Sequence, residues 1–443
     1  MLLRFSVENH LCFGPPVCLD LCPKGSKTAT ENSDNKPPGP SSLSGPSDPI
    51  EPVGSNSPPR IVLISGPAAS GKSALLRSMG LLRNLVLAGP RAPLAVLPQR
   101  FYPAGPTRLA IDVQIEAAVF SYALVLSPQQ ILEESLRITP AASDRPVETR
   151  TLFSRRAGEP GRPPIVDAGD LPASEQGRLR LLAQSTRAEQ PLVNEGLRRG
   201  LPLFVPFGVW LRDHLQLLLP EAKFVGLAAR AARDPALLDF LGDYLSIADL
   251  GIRSLSVVRE PVPSGYFQNQ EELDEVTTEL TRFPDSFAET PEGELIAQPA
   301  KNGPFVDIER VRLLQTLAGP DGRTAELAID ELPETGRRLL HLSPLFYSAG
   351  AAGPPAPCAL IDDLGHSLSP RLLSALLSRF ALDADLPAGR QLIGFVKDAP
   401  EGEEGCGLGR SLLANLRRQA PQAAAQHWVL NRTSAGSQLT VVV

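Results

Sequence analysis

No apolar run in this sequence approaches the ~18–20 residues a membrane-crossing helix needs, so nothing in it reads as spanning a bilayer. Cysteine is scarce: Cys12, Cys18, Cys22, Cys358 and Cys406 are odd in number and include no C-x-x-C pair. Cys18 and Cys22 have three residues between them but no histidine pair nearby to complete a zinc site, so the thiols read as inert in a reducing compartment. An excess of either charge is also missing. With 43 Lys+Arg against 49 Asp+Glu the net charge is −6, which gives no general pull toward nucleic acid or anionic membrane and leaves room only for a local basic face. The opening residues alternate around Arg4 and Glu8, which is no signal peptide. No nuclease, protease or metal constellation is visible. The expected compartment is the cytoplasm.

What is present is a globular chain of 443 residues with 42% hydrophobic content, long enough for two or three lobes. Leu3, Phe5 and Val7 alternate with polar residues as one strand, and Val17 to Leu21 reads as its antiparallel partner. Residues 23–59 then turn to Pro, Ser, Gly and Asn with no aromatic residue, a composition that cannot offset its ordering entropy. They are expected to be a disordered insertion.

Chemistry enters at Ile61–Ile64, a short apolar run followed by Gly66-Pro67-Ala68-Ala69-Ser70-Gly71-Lys72-Ser73. This fits G-x-x-x-x-G-K-[ST], the phosphate-binding P-loop. Leu75, Met79 and Leu82 recur at helical spacing just beyond it, completing the strand–loop–helix context that the motif requires. Gly66 and Gly71 allow the backbone to turn its N–H groups inward. Lys72 would reach the β- and γ-phosphates and the Ser73 hydroxyl would hold Mg²⁺, with the helix N-terminus adding partial positive charge. The chain is expected to bind a nucleoside triphosphate.

Further along, 110–125, 131–138 and 151–154 read as strands. From 172 to 250 the period becomes helical, with 209–219 and 227–245 among the helices. That suggests an inserted helical lobe, assigned 166–304 together with a polar, proline-punctuated connector from 254. Residues 311–317 and 324–329 read as a hairpin and 336–347 as a helix. Cys358 to Ile361 is an apolar strand ending in Asp362-Asp363, a Walker B pattern. Its first carboxylate would hold Mg²⁺ and its second polarise the attacking water. Lys72 and Asp362 lie roughly 290 residues apart, much wider than in small P-loop kinases and GTPases.

The sequence resembles the AAA-type ATPases with an ABC-like head, a mostly bacterial group related to RecF, SMC and OLD-family proteins. The resemblance is carried by MLLRFSVENHLCF at 1–13, ISGPAASGKSALL at 64–76, TLFSR at 151–155, LPLFV at 201–205 and ADLGI at 248–252. It continues in LIDDLGHSLSPRLLSALLSRF at 360–380, QLIGFVKD at 391–398 and QHWVLNRTSAGSQLTVV at 426–442. It implies an α/β P-loop NTPase of ABC/RecF-like type, with a mixed central sheet, flanking helices and the inserted lobe. The head would comprise 1–22 with 60–165 and then 305–443. It also implies ATP and Mg²⁺ as cofactors and a head-to-tail homodimer that sandwiches two ATP molecules. Dimerisation would drive action on DNA or on an effector from an adjacent gene, in phage defence or DNA maintenance. The family's signature stretch matches Glu334-Thr335-Gly336-Arg337-Arg338, which would place Thr335 and Gly336 near a γ-phosphate, although the usual glycine position carries Thr335.

Departures from the family pattern fall on the hydrolytic parts. Its catalytic glutamate maps onto Asp363, whose carboxylate is one methylene shorter, on the order of 1.5 Å. Its switch histidine maps onto Lys397 and its D-loop histidine onto Ser369, while His366 reads as a surface residue. Two readings therefore stand beside each other, an ATPase that works through dimerisation and a non-hydrolysing or very slow ATP-binding regulator. A P-loop kinase is disfavoured by the wide motif spacing.

Overall fold

The computed structural model describes all residues except 23–57, 91–93, 103–104, 141–148, 159–163, 170, 221–224, 264, 283–285, 300–305, 319–320, 348–357, 383–388, 398–406, 422–423, 434–435 and 443. Most of the expected insertion, together with Cys406 and Asp398, lies outside the described residues.

Along the chain run β1 (Leu2–Glu8), β2 (Val17–Asp20), β3 (Ile61–Gly66), α1 (Lys72–Leu87), β4 (Thr107–Ile115), β5 (Ala118–Leu126), β6 (Ile131–Pro140), β7 (Arg150–Arg156) and β8 (Ile165–Asp167). Next come α2 (Ala173–Ser185), α3 (Leu192–Arg198), α4 (Val205–Val209), β9 (Leu215–Leu218), α5 (Leu227–Arg233), α6 (Pro235–Ser246), β10 (Ile252–Pro261) and α7 (Gln270–Thr281). They are followed by β11 (Ala288–Thr290), β12 (Gly293–Pro299), β13 (Val306–Ala318), β14 (Thr324–Ala328), α8 (Glu334–Leu342), β15 (Cys358–Ile361) and α9 (Pro370–Leu382). The chain closes with β16 (Gln391–Lys397), α10 (Leu408–Gln419), β17 (Ala425–Thr433) and β18 (Gly436–Val442).

Two compact units result. The first comprises Met1–Leu219, Pro355–Leu364 and Ala388–Val443. It holds a seven-stranded antiparallel sheet in the order β2-β1-β4-β5-β6-β7-β8 and a six-stranded sheet in the order β18-β17-β3-β16-β15-β9. In the latter, β17, β3, β16, β15 and β9 run parallel and β18 antiparallel, the mixed central sheet that the sequence implied. Strand β3 is buried throughout, as the apolar run 61–64 predicts for the middle of a parallel sheet. Leu75, Met79 and Leu82 of α1 are fully buried in one core cluster with Phe5, Val62, Ile64 and Phe153. Each such side chain contributes about 1.5–3 kcal/mol by leaving water. Within this core Glu134 accepts from the Tyr122 hydroxyl at 3.0 Å and from the N–H groups of Leu192 and Val193, at the start of α3.

The second unit comprises Pro220–Pro354 and Gly365–Pro387. Its sheet runs β10-β13-β12-β11, with β14 also paired to β13, beside helices α5 to α9. Phe240, Tyr244, Phe346, Tyr347 and Phe380 form its aromatic cluster.

Several expectations change here. Residues 110–125 are two strands, β4 and β5, joined by a tight turn in which Glu116 has φ 52°. The helix expected over 209–219 stops after His214, and Leu215–Leu218 becomes β9, pairing in parallel with β15. Sheet pairing there overrides a leucine-rich pattern that fits either period. The expected connector from 254 carries β10, α7, β11 and β12. Its polar composition reflects a sheet with a solvent face, where Glu260 pairs with Arg310 and Arg312 across strands. The division between units falls at Leu219, not 165, and residues 305–354 belong to the second unit rather than to the P-loop unit. The helix expected over 336–347 is α8 with a short 3₁₀ turn at Ser343–Leu345.

Candidate functional site

Strand β3 ends at Gly66, and the chain bends through Pro67, Ala68, Ala69 and Ser70 before α1 begins at Lys72. Pro67, Ala68 and Ala69 are exposed, whereas Ser70 is buried. Both glycines are required by their surroundings. A Cβ on Gly66 would stand 2.3 Å from the Leu430 carbonyl oxygen, and Gly71 has φ 110°, a conformation that L side chains rarely adopt. The Lys72 ammonium curls over the loop, donating to the carbonyls of Gly66 at 2.7 Å and Pro67 at 2.8 Å and to Ser70 Oγ at 3.3 Å. Ser73 follows in the first turn of α1 and is half-buried.

The neighbouring parallel strands bring the other predicted groups to the same edge of the sheet. β16 pairs with β3 so that Lys397, its last residue, lies opposite Gly66. β15 pairs on the far side of β16, with Ile361 opposite Gly394. Asp362 leaves the end of β15, is buried, and donates its backbone N–H to Leu218 of β9 at 2.8 Å. Asp363 then adopts φ 45°, with its N–H donating to Asp362 Oδ1 at 3.1 Å. Leu364 rejoins β16 through the Phe395 carbonyl at 2.8 Å. This return is possible because Gly394 has no side chain, since a Cβ there would meet Leu364 Cδ2 at 2.3 Å. The carboxyl ends of parallel strands are where open α/β sheets bind ligands. Residues 66–73, 362, 363 and 397 therefore share one sheet edge.

Thr335 and Gly336 lie in the first turn of α8, in the second unit. The Thr335 hydroxyl donates to the Ser367 carbonyl at 2.7 Å, and Gly336 is buried, with a virtual Cβ 2.9 Å from Leu250 Cδ1. Glu334 pairs with His366 at 3.0 Å, and hydrogen bonds from Ser367 and His366 hold its carboxyl below the usual range. Ser369 caps α9, accepting the Leu372 N–H on its hydroxyl at 3.2 Å ahead of Pro370.

Sequence reasoning did not single out the groups that support the loop from behind. Ser65 Oγ and His427 Nε2 are 2.8 Å apart, both buried, and Gly409 leaves room for that ring. Cys12 Sγ and Ser437 Oγ lie 2.9 and 2.8 Å from where a Gly71 Cβ would be. The signal available was the terminal hairpin at 426–442, but no local pattern says that it flanks β3.

A family model described as "AAA domain, putative AbiEii toxin, Type IV TA system" matches residues 61–393. Comparison with curated proteins gives no match. Similar solved structures include the SMC head bound to the C-winged helix domain of ScpA (TM-score 0.43, 10% identity, covering 100% of this chain and 97% of that one). The SMC head domain from Thermotoga maritima gives a TM-score of 0.36 at 11% identity, covering 100% and 99%. The recombination mediator protein RecF with ATPrS, from the RecFOR pathway, gives 0.30 at 13% identity, covering 100% and 98%. Among the described residues no helix is long and apolar enough to cross a membrane.

Proposed function

The chain belongs to this AAA domain family, and from that premise we propose that it binds ATP with Mg²⁺ at the β3–β16–β15 edge and hydrolyses it slowly. The observation that carries this reading is the shared edge, where the phosphate loop, Lys397 and the Asp362-Asp363 pair leave adjacent parallel strands.

The loop N–H groups from Gly66 to Ser73 and the positive end of α1 hold the phosphates. Lys72, already gathered over three loop oxygens, neutralises their charge. The Ser73 hydroxyl and the Asp362 carboxylate are hard oxygen donors of the kind Mg²⁺ prefers, so the residues present fit that ion. When bound, it would supply charge compensation to the phosphate oxygens. Asp363 orients water, and its short side chain together with a lysine in place of an imidazole at 397 makes that step slow. The finer reading follows the family resemblance. Two copies close on shared ATP, with Thr335 and Gly336 of one facing the phosphates of the other, and closure acts on DNA or on a partner protein.

Titration calorimetry tests the binding step. ATP with Mg²⁺ is expected to bind at about micromolar Kd, and Lys72→Ala to weaken it at least about tenfold, or 1.4 kcal/mol. Equal affinity in the two proteins would remove Lys72 from the site.

A further inference from the structure

We propose that segment 97–101 is a nucleobase platform: Leu97 and Phe101 form an apolar shelf beside the phosphate loop, on which the base of the bound nucleotide stacks. The proposal rests on the reading of 66–73 as a triphosphate site.

The segment follows α1 and is anchored from below, where Leu94 and Val96 are buried in the core. Its outward side chains are the opposite: Leu97 is 60% exposed and Phe101 91% exposed. An aromatic ring left in water is ordinary on a loose tail, but this loop is not loose. Asn9, itself buried, uses its side chain to hold two points of it. Its Oδ1 accepts the Gln99 N–H at 3.0 Å and its Nδ2 donates to the Gly105 carbonyl at 2.7 Å. The Leu97 carbonyl accepts the Leu11 N–H at 2.7 Å, and the Leu97 N–H donates to His10 Nδ1 at 3.4 Å. The Phe101 N–H is held by the Gln99 side chain.

The anchoring loop is the one that touches the phosphate loop. Cys12 lies against Gly71, and its carbonyl accepts the Ser437 N–H at 3.2 Å. Segment 97–101, loop 9–13 and Gly71 are thus linked by contacts, and the hydrogen-bonded segment leaves two apolar side chains exposed. The phosphate loop reads only phosphate, so the base of a bound nucleotide must lie on something else nearby. A leucine and a phenylalanine offer it a face and no hydrogen-bonding edge. Such stacking is tolerant of base identity because every base has a π-face, and it favours the larger purines.

The test is competition calorimetry with ATP, GTP, CTP and inorganic tripolyphosphate on the full chain and on the variant L97S/F101S. Both side chains are exposed, so the fold should survive, which an unchanged unfolding midpoint checks. The expected result is a loss of at least about tenfold for ATP and for GTP, with tripolyphosphate within about twofold. Wild type should hold ATP and GTP within about threefold of each other and CTP more weakly, and Phe101→Tyr should retain nucleotide affinity. Unchanged ATP affinity in the double variant, or an equal loss for tripolyphosphate, overturns the platform while leaving the phosphate loop standing. Wild-type protein that binds neither ATP nor tripolyphosphate removes the triphosphate site and the platform together.

Discussion

Lys397 lies directly opposite Gly66 in the parallel pairing of β16 with β3, so the end of β16 meets the start of the phosphate loop. A neutral imidazole at this place could both donate and accept hydrogen bonds, whereas an ammonium only donates. Past the end of the adjacent strand β15, Asp363 follows with a carboxylate on a short stem. Positioning and electrostatics carry nearly all of phosphoryl transfer, so each shortfall costs about 10–1000-fold, roughly 1.4–4 kcal/mol. Asp363→Glu combined with Lys397→His is expected to raise ATP turnover at least about tenfold while ATP affinity stays within a few-fold. The glutamate must adopt φ 45°, which costs about 1–2 kcal/mol of stability and should appear as a lower unfolding midpoint. A double variant slower than wild type in steady-state phosphate release would mean these positions are not the hydrolytic ones.

Much of this edge was legible because its signals are local. G-x-x-x-x-G-K-[ST] fixes a turn, a charge and a helix start within eight residues, and an apolar run ending in two aspartates needs no partner to be recognised. The strands of 2–8 and 17–20 were likewise visible from alternation, since one face is buried and the other is not. What stayed hidden depends on distant pairing. Leu215–Leu218 is a strand only because Cys358–Ile361 lies beside it, more than a hundred residues later. Gly394 looks like a weak point in β16 until Leu364 is seen to fill its place. In the second unit's sheet the hairpin of β13 and β14 was visible, whereas β10, β11 and β12 were concealed in a polar stretch whose Arg–Glu pairs read as a solvated connector.

Gly71 carries two constraints that alanine breaks together. Its φ of 110° is costly for any L side chain, and the added Cβ would stand 2.8 Å from Ser437 Oγ and 2.9 Å from Cys12 Sγ. Gly71→Ala is expected to cost about 1–3 kcal/mol in denaturant unfolding and to lower ATP affinity by more than about tenfold. Adding Ser437→Ala removes one contact but not the dihedral strain, so it should restore only part of the stability. Wild-type stability and affinity in the single variant would show that the loop is not held in this conformation.

If closure on shared ATP is how the protein works, its mass in solution must depend on nucleotide. Light scattering at tens of micromolar protein should report a dimer with ATP or a non-hydrolysable analogue and a monomer without it, because a ligand that binds only the closed form shifts assembly by mass action. The variant Lys72→Ala should stay monomeric under both conditions. A wild-type protein that remains monomeric at saturating ATP counts against the sandwich while leaving nucleotide binding intact.

His10 makes the anchoring of segment 97–101 sensitive to acid. The imidazole is buried, and burial pushes its pKa down to about 4, so it stays neutral in the fold and keeps Nδ1 available as an acceptor for the Leu97 N–H. In the unfolded chain the same ring takes up a proton below about 6.5. The unfolded state therefore binds more protons between these values, and stability falls as pH drops from about 6.5 to about 4, by up to about 3 kcal/mol from this group alone. Above pH 6.5 the ring is neutral in both states and contributes no slope. His10→Gln offers an amide oxygen to the same N–H but does not titrate in this range. Urea unfolding at several pH values should give the variant a shallower loss between pH 6.5 and 4, with carboxylate titration common to both proteins cancelling in the difference. Parallel curves for the two proteins would show that His10 is protonated alike in the folded and unfolded chains, and its burial would then be of no consequence for acid stability.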